Sequence, residues 1–333
     1  MRSDLTVKKI LLSVLCLLVL SSAAFAAPVH KILLDTDPGI DDAAAITIAL
    51  TDEQFEVKLL TTVAGNVSAD KTSANALKLV EFFNVQDKVP VAAGAKQPLL
   101  KPFEDASHVH GESGMPGWNF PPLKTKPLAK HAVEAMRDTL LASDEPLTLV
   151  LTGAYTNAAL LLRTYPEVKE KIERIVVMGG SLGYGNMTSA AEFNVFSDPH
   201  AARVVFESEL PIVMIGLDVT MKALLTHRNI ERLATLNESG KMLNSLFSYY
   251  GDAGAGGKPM HDVNTLFYLA HPEAFTITNY WVTVVTEGDA AGETVADVRR
   301  VSHNGATNVA VATDIDAAAC NRWFMSKIAG IKK

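Results

Sequence analysis

Lys31-Ile-Leu-Leu-Asp35-Thr-Asp37-Pro-Gly-Ile-Asp41-Asp42-Ala-Ala-Ala45 decides the reading of this chain. The apolar run Ile32–Leu34 reads as a buried strand, Pro38-Gly39 as a turn, and the alanines after it as the start of a helix. Four carboxylates, Asp35, Asp37, Asp41 and Asp42, fall within eight positions of the strand-to-helix junction. In open α/β sheets, ligands bind outside the carboxyl ends of strands. One or two acids in a first helical turn would be explained by the helix dipole alone. Four exceed what capping requires, and carboxylates held close repel one another unless a positive charge sits among them. Oxygen-only donors suit a hard cation, Ca²⁺ or Mg²⁺.

Working outward, Val57–Val63, Val89–Ala92, Leu147–Leu151, Ile175–Met178 and Ile212–Ile215 also read as strands. Amphipathic helical segments such as Lys71–Phe83 and His131–Leu141 lie between them. This alternation predicts one α/β domain over 27–333, with a mainly parallel, mixed sheet flanked by helices in the Rossmann-like manner. After Asp218 come helical stretches around Ile230–Leu236 and Lys241–Tyr250, the glycine-rich turn Gly251–Gly257, and a helix starting near His261. Thr276–Thr286 and Thr294–Val301 read as a C-terminal antiparallel pair. The segment Gly94–Lys126 is too long to be a plain connection and is expected to serve as a lid or site loop.

Residues 1–26 stand apart. Lys8-Lys9, an apolar run from Ile10 to Leu20 and an ending Ala24-Phe25-Ala26 have the layout of a secretory signal peptide, shorter than a membrane span. The expected location is therefore periplasmic or secreted. Loss of the leader leaves 27 basic and 36 acidic side chains, a net charge of −9. An acidic domain without a basic block is a poor binder of nucleic acid or anionic membranes. Only Cys320 remains after cleavage, so no intramolecular disulfide can form.

Further candidate chemistry follows the strands. It comprises Gly65-Asn66, His108-Val-His110 in the long loop, Thr152-Gly153, Met178-Gly-Gly with Asn186, Glu192, Phe193 and Asn194, and His261-Asp262 at a helix start. Each has a plainer role to set beside the functional one: glycines and Asn66 in turns, Asp262 as a helix cap. A zinc pair at His108 and His110 lacks the compact Cys/His set that zinc sites show. No complete dinucleotide fingerprint, Walker loop or nucleophile elbow is present.

Taken in order, Asp35-Thr-Asp-Pro-Gly-Ile-Asp-Asp42, Thr62-Val-Ala-Gly-Asn66, His108-Val-His-Gly-Glu-Ser-Gly114, Leu151-Thr-Gly153, Val177-Met-Gly-Gly180, Ala191-Glu-Phe-Asn194 and His261-Asp262 resemble the inosine–uridine-preferring nucleoside hydrolases over nearly the whole mature chain. The resemblance implies calcium-dependent hydrolysis of the N-glycosidic bond of ribonucleosides by a homo-oligomer, a dimer or tetramer. It implies Asp37, Asp42, Asp262 and the Thr152 carbonyl as calcium ligands, with Asp37 also the base toward a calcium-bound water. Asp41, Asn66 and Asn194 would contact the ribose diol, Asn186 and Glu192 the 5′-hydroxyl, Met178 the sugar and His110 the base. His261 matches the histidine that protonates a purine leaving group. Two departures bear on base preference: Val263-Asn264-Thr265, where the family often has Pro and small residues, and the Gly251–Gly257 run.

Two other readings compete. Leu34-Asp-Thr-Asp37 resembles the nucleophile pattern of haloacid-dehalogenase-like phosphatases, but Pro38 stands where that pattern wants Thr or Val. A secreted nucleoside- or sugar-binding protein would show two comparable α/β lobes, whereas this chain shows one continuous alternation.

Overall fold

Along β1 (His30–Thr36), Leu33 and Leu34 are both fully buried but join different apolar clusters. That is the period-two alternation of a strand covered on both faces. The computed structural model describes residues 29–252, 256–301 and 303–333; the leader and part of the Gly251–Gly257 turn lie outside the described residues. The strands that follow are β2 (Phe55–Thr62), β3 (Val91–Ala93), β4 (Leu147–Leu151), β5 (Ile172–Met178) and β6 (Ile212–Ile215). Later come β7 (Phe275–Tyr280), β8 (Val282–Val284), β9 (Thr294–Ala296) and β10 (Val309–Ile315).

The main sheet runs β3-β2-β1-β4-β5-β6-β10-β7, parallel except for β7. Helices Ile40–Thr51, Ala69–Phe82, Glu238–Tyr249, Val263–Ala270 and Ala317–Gly330 pack on one face. Ala132–Ala142, Thr156–Thr164 and Pro199–Phe206 cover the other. Order 3-2-1-4-5-6 is that of a doubly wound sheet, whose topological switch point lies between β1 and β4. Connections leave β1 and β4 toward opposite faces, so a crevice opens beyond their carboxyl ends.

The expected C-terminal pair exists but is divided differently. Thr276–Thr286 contains two strands: β7 joins the main sheet antiparallel to β10, and only β8 pairs antiparallel with β9. The partner of β7 and the closing helix Ala317–Gly330 were not anticipated, because a mixed edge is decided by long-range pairing. Among the described residues no helix is long and apolar enough to cross a membrane.

Candidate active site

The ends of β1 and β4 build the floor of one pocket. From Leu33 to Asp35, past a register shift against β2, β1 pairs regularly with both neighbours, and Asp35 faces Thr61 and Leu151. Thr152 N then donates to the Asp35 carbonyl (2.8 Å) and Val63 N to that of Thr36 (3.1 Å). Strand parity sends Asp35 to the side of helix Thr156–Thr164, where its Oδ1 accepts from Thr61 Oγ1 (2.6 Å) and Asn157 Nδ2 (2.8 Å). Asp35 is thus separated from the other three acids, and burial raises it to about 6.

Asp37, Asp41 and Asp42 gather past the strand, joined by Asp262 from across the molecule. Asp42 accepts from Thr36 Oγ1, Gly39 N (2.9 Å) and Asn66 Nδ2 (2.9 Å). Asp41 accepts from His261 N (3.1 Å) and from the Tyr250 hydroxyl (3.4 Å). Asp37 Oδ2 accepts from Asn66 N (2.7 Å), while its Oδ1 is buried without any hydrogen-bond partner. Asp262 stands at the N-cap position of helix Val263–Ala270 but its side chain caps nothing, so the plain capping role does not account for it. Burial, then mutual repulsion, raises the carboxyls of Asp37 and Asp262 well above the usual range and that of Asp41 to about 8. Asp42 is raised by burial, against several donors.

This donor set fits a hard cation. Oxygens of Asp41, Asp42 and Asp262 all lie within 4.8 Å of one another. Asp37 is not in that trio, yet its Oδ1 is buried with no donor, whereas each Asp41 oxygen already accepts one. Space is kept for Asp37 by two glycines. A Cβ on Gly65 would stand 1.9 Å from Oδ2 and one on Gly153 2.8 Å from Oδ1. Among the described residues no Lys or Arg lines the pocket to neutralise the cluster.

A partly open pocket with a cavity of about 100 Å³ lies above this cluster. Asp41, Asn66, His110, Thr152, Met178, Asn186, Glu192, Asn194, His261 and Asp262 all line it. Asp37 and Asp42 lie fully buried beneath it. Glu192 accepts from the backbone N–H groups of Gly180, Asn194 and Val195, and burial raises it to about 7. Asn194 Nδ2 donates to the carbonyls of Thr152 (3.1 Å) and Met178 (3.2 Å), which orients both. Asn186 Oδ1 accepts from Phe193 N (2.9 Å).

The long segment after Gly94 is a site loop tied down at many points. Ala106 N donates to the Asn66 carbonyl (3.1 Å), and the short helix Ser107–His110 presents His110 to the pocket. His110 Nδ1 accepts from Ile40 N (3.1 Å). Burial lowers His110 to about 3 and His261 to about 4, leaving both neutral near pH 7. His261 Nδ1 is 2.8 Å from Thr220 Oγ1. Sequence reasoning missed Tyr250, which lines the pocket, lies against His110 (ring centroids 5.2 Å) and reaches Asp41. It stands at the end of helix Glu238–Tyr249, and no local motif marks it.

The carboxyl shifts carry a pH prediction. An acid whose folded pKa lies above its unfolded value near 3.8 stabilises the fold fully below that value. The contribution is lost as pH rises toward the folded value, about 8 for Asp41. Metal-free protein is therefore expected to lose melting temperature as pH climbs through this window. A divalent cation held by the cluster should restore several degrees, and more at about pH 8 than at about pH 5. Scanning calorimetry checks this; a cation effect independent of pH would contradict it.

A doubly wound sheet with a carboxylate-floored, cation-binding pocket at its switch point defines the class. Comparison with known proteins narrows it. The family described as inosine-uridine preferring nucleoside hydrolase matches residues 32–322. The non-specific ribonucleoside hydrolase RihC of Klebsiella pneumoniae is 51% identical over 300 residues, covering 90% of this chain and 98% of its own. That of Salmonella paratyphi C is 50% identical over 288 residues, 86% and 94%. The purine-preferring ribonucleoside hydrolase from Gardnerella vaginalis superposes with a TM-score of 0.84 at 32% identity, covering 90% of this chain and 98% of that one. The chain belongs to the inosine-uridine preferring nucleoside hydrolase family.

Proposed function

We propose that this chain hydrolyses ribonucleosides to ribose and free base, with calcium as the resident cation held by Asp37, Asp42, Asp262 and the Thr152 carbonyl. The observation that carries this reading is the buried, donor-free Asp37 Oδ1 among four carboxylates, with no cationic side chain in the pocket among the described residues. When bound, calcium supplies diol orientation and a lowered pKa for water in its shell. Asp37 takes a proton from the attacking water, whose oxygen bonds to C1′. The C1′–N bond breaks with its electron pair going to the base. Carboxylates around the sugar stabilise its cation-like character as the base departs. Asp41, Asn66 and Asn194 hold the diol, Asn186 and Glu192 the 5′-hydroxyl, Met178 packs on the sugar and His110 meets the base.

The relatives at 50–51% identity are described as non-specific, and the same breadth over purine and pyrimidine is proposed here. A ribonucleoside panel scored for free ribose and free base is the test. Equal amounts of both are expected, with loss on chelation. Phosphate release from sugar phosphates, or saturable binding without turnover, would overturn the reading. Full activity after exhaustive chelation would remove calcium from it. The leader reading extends the proposal to an exported enzyme, checked by fractionation. A dimer or tetramer is proposed from the family resemblance, checked by light scattering.

His261 is assigned to the departing base. Its imidazole is neutral near pH 7, and in the proposed tautomer Thr220 donates to Nδ1 and the hydrogen sits on Nε2. It therefore acts as a donor to the base nitrogen, without bringing a full charge. His261→Ala is expected to slow inosine cleavage by on the order of 10²-fold. Nitrophenyl riboside, whose leaving group needs little help, should change little. Equal losses on both substrates, with weaker calcium binding, would reduce His261 to a packing role beside Asp262.

A further inference from the structure

Asn75 lies outside the pocket, on helix Ala69–Phe82, and is 1% exposed. Its Nδ2 donates to two carbonyls, Pro38 (3.0 Å) and Ser113 (2.7 Å). The first belongs to the turn between Asp37 and the helix bearing Asp41 and Asp42. The second follows His110 by three residues in the site loop. Lys78 Nζ donates to Asn75 Oδ1 (3.0 Å). An ammonium has only donors, so the oxygen must face Lys78 and both amide hydrogens must face the carbonyls. The site loop passes so close that a Cβ on Gly114, at φ +79°, would meet Asn75 Nδ2 at 2.8 Å and the Pro38 carbonyl oxygen at 3.0 Å. On the pocket side of the same junction, Ile40 N donates to His110 Nδ1. The carboxylate turn and the His110 loop are thus joined twice, by Ile40–His110 inside and by Asn75 behind.

We propose that Asn75 is a positioning residue: it clips the site loop to the carboxylate turn and so fixes where His110, and the hydrogen on its Nε2, stands over the base. This rests on the reading of His110 as a base contact. Both carbonyls that Asn75 holds are main-chain groups of irregular segments with no ladder to satisfy them. Losing the clip frees the loop to shift against the turn and weakens the Ile40–His110 bond, which holds the imidazole in one tautomer. The calcium ligands are not touched by Asn75 and keep their own hydrogen bonds.

The test is Asn75→Leu in the full chain, alone and combined with His110→Ala, measured well below each melting temperature. Asn75→Leu is expected to lower kcat/KM for inosine by about 10- to 100-fold, the scale of a contact misplaced by about an ångström. In the His110→Ala background the same change should cost less than about 3-fold, since its effect is already lost. Nitrogen-15 NMR of the imidazole should show a single Nε2–H tautomer for His110 in the parent and a mixture in Asn75→Leu. A retained single tautomer, or equal losses in both backgrounds, overturns the proposal whatever happens to melting temperature. Should Asn75→Leu fail to fold, Asn75→Asp keeps the shape and the Lys78 contact, loses both donors, and is read in the same way. If the parent itself releases no ribose, the assigned reaction fails, and the tautomer measurement still decides the clip.

Discussion

Replacing Asp37 by asparagine is expected to slow ribonucleoside cleavage by roughly 10³-fold or more, a loss of at least about 4 kcal/mol in transition-state stabilisation. The change is nearly isosteric, so the fold should survive. Any Cβ at Gly65 or Gly153 would collide with this side chain, so the two glycines keep its space open. On the proposed mechanism two functions disappear together. The amide cannot accept the proton of the attacking water, and a neutral oxygen replaces a charged one among the cation's donors. Stopped-time assays of ribose release, with calcium affinity measured in parallel, separate the two. Restoring calcium occupancy by saturation should recover only part of the rate. A variant within tenfold of the parent would remove Asp37 as the base.

2′-Deoxyribonucleosides are expected to be cleaved on the order of 10⁴-fold more slowly than their ribose counterparts. Sites built around a substrate hydroxyl reject the analogue lacking it, because buried polar groups are left unpaired. Here the cost is concentrated. Asn66 Nδ2 is committed to the Asp37 carbonyl and Asp42, and Asn194 Nδ2 to two backbone carbonyls. What these amides offer the diol is their oxygens, beside the Asp41 carboxylate. A set dominated by acceptors needs the two hydroxyl hydrogens of an intact diol. Competing inosine and 2′-deoxyinosine in one assay checks this, and rates within tenfold of each other would contradict diol recognition.

What the sequence determined by itself is the frame and most of the site. Near-continuous apolar runs in Ile32–Leu34 and Leu147–Leu151, alternating with helical segments, point to a mainly parallel sheet with helices on both faces, because strands covered on both faces must be apolar almost throughout. The segments bearing Asp37, Asn66, Thr152 and Met178 end strands, so parallel pairing alone carries them to one edge. The tertiary structure decided the rest. Asp35 looked like a fourth member of the acidic cluster, yet strand parity turns it to Asn157, 122 positions away. Tyr250 reaches Asp41 across 209 positions, and no local signal could assign that pairing. The β7–β10 edge and the Asn75 clip are of the same kind. Local periodicity records which face of an element is buried, whereas the identity of what it meets is fixed only when distant segments pack and their polar groups must find partners.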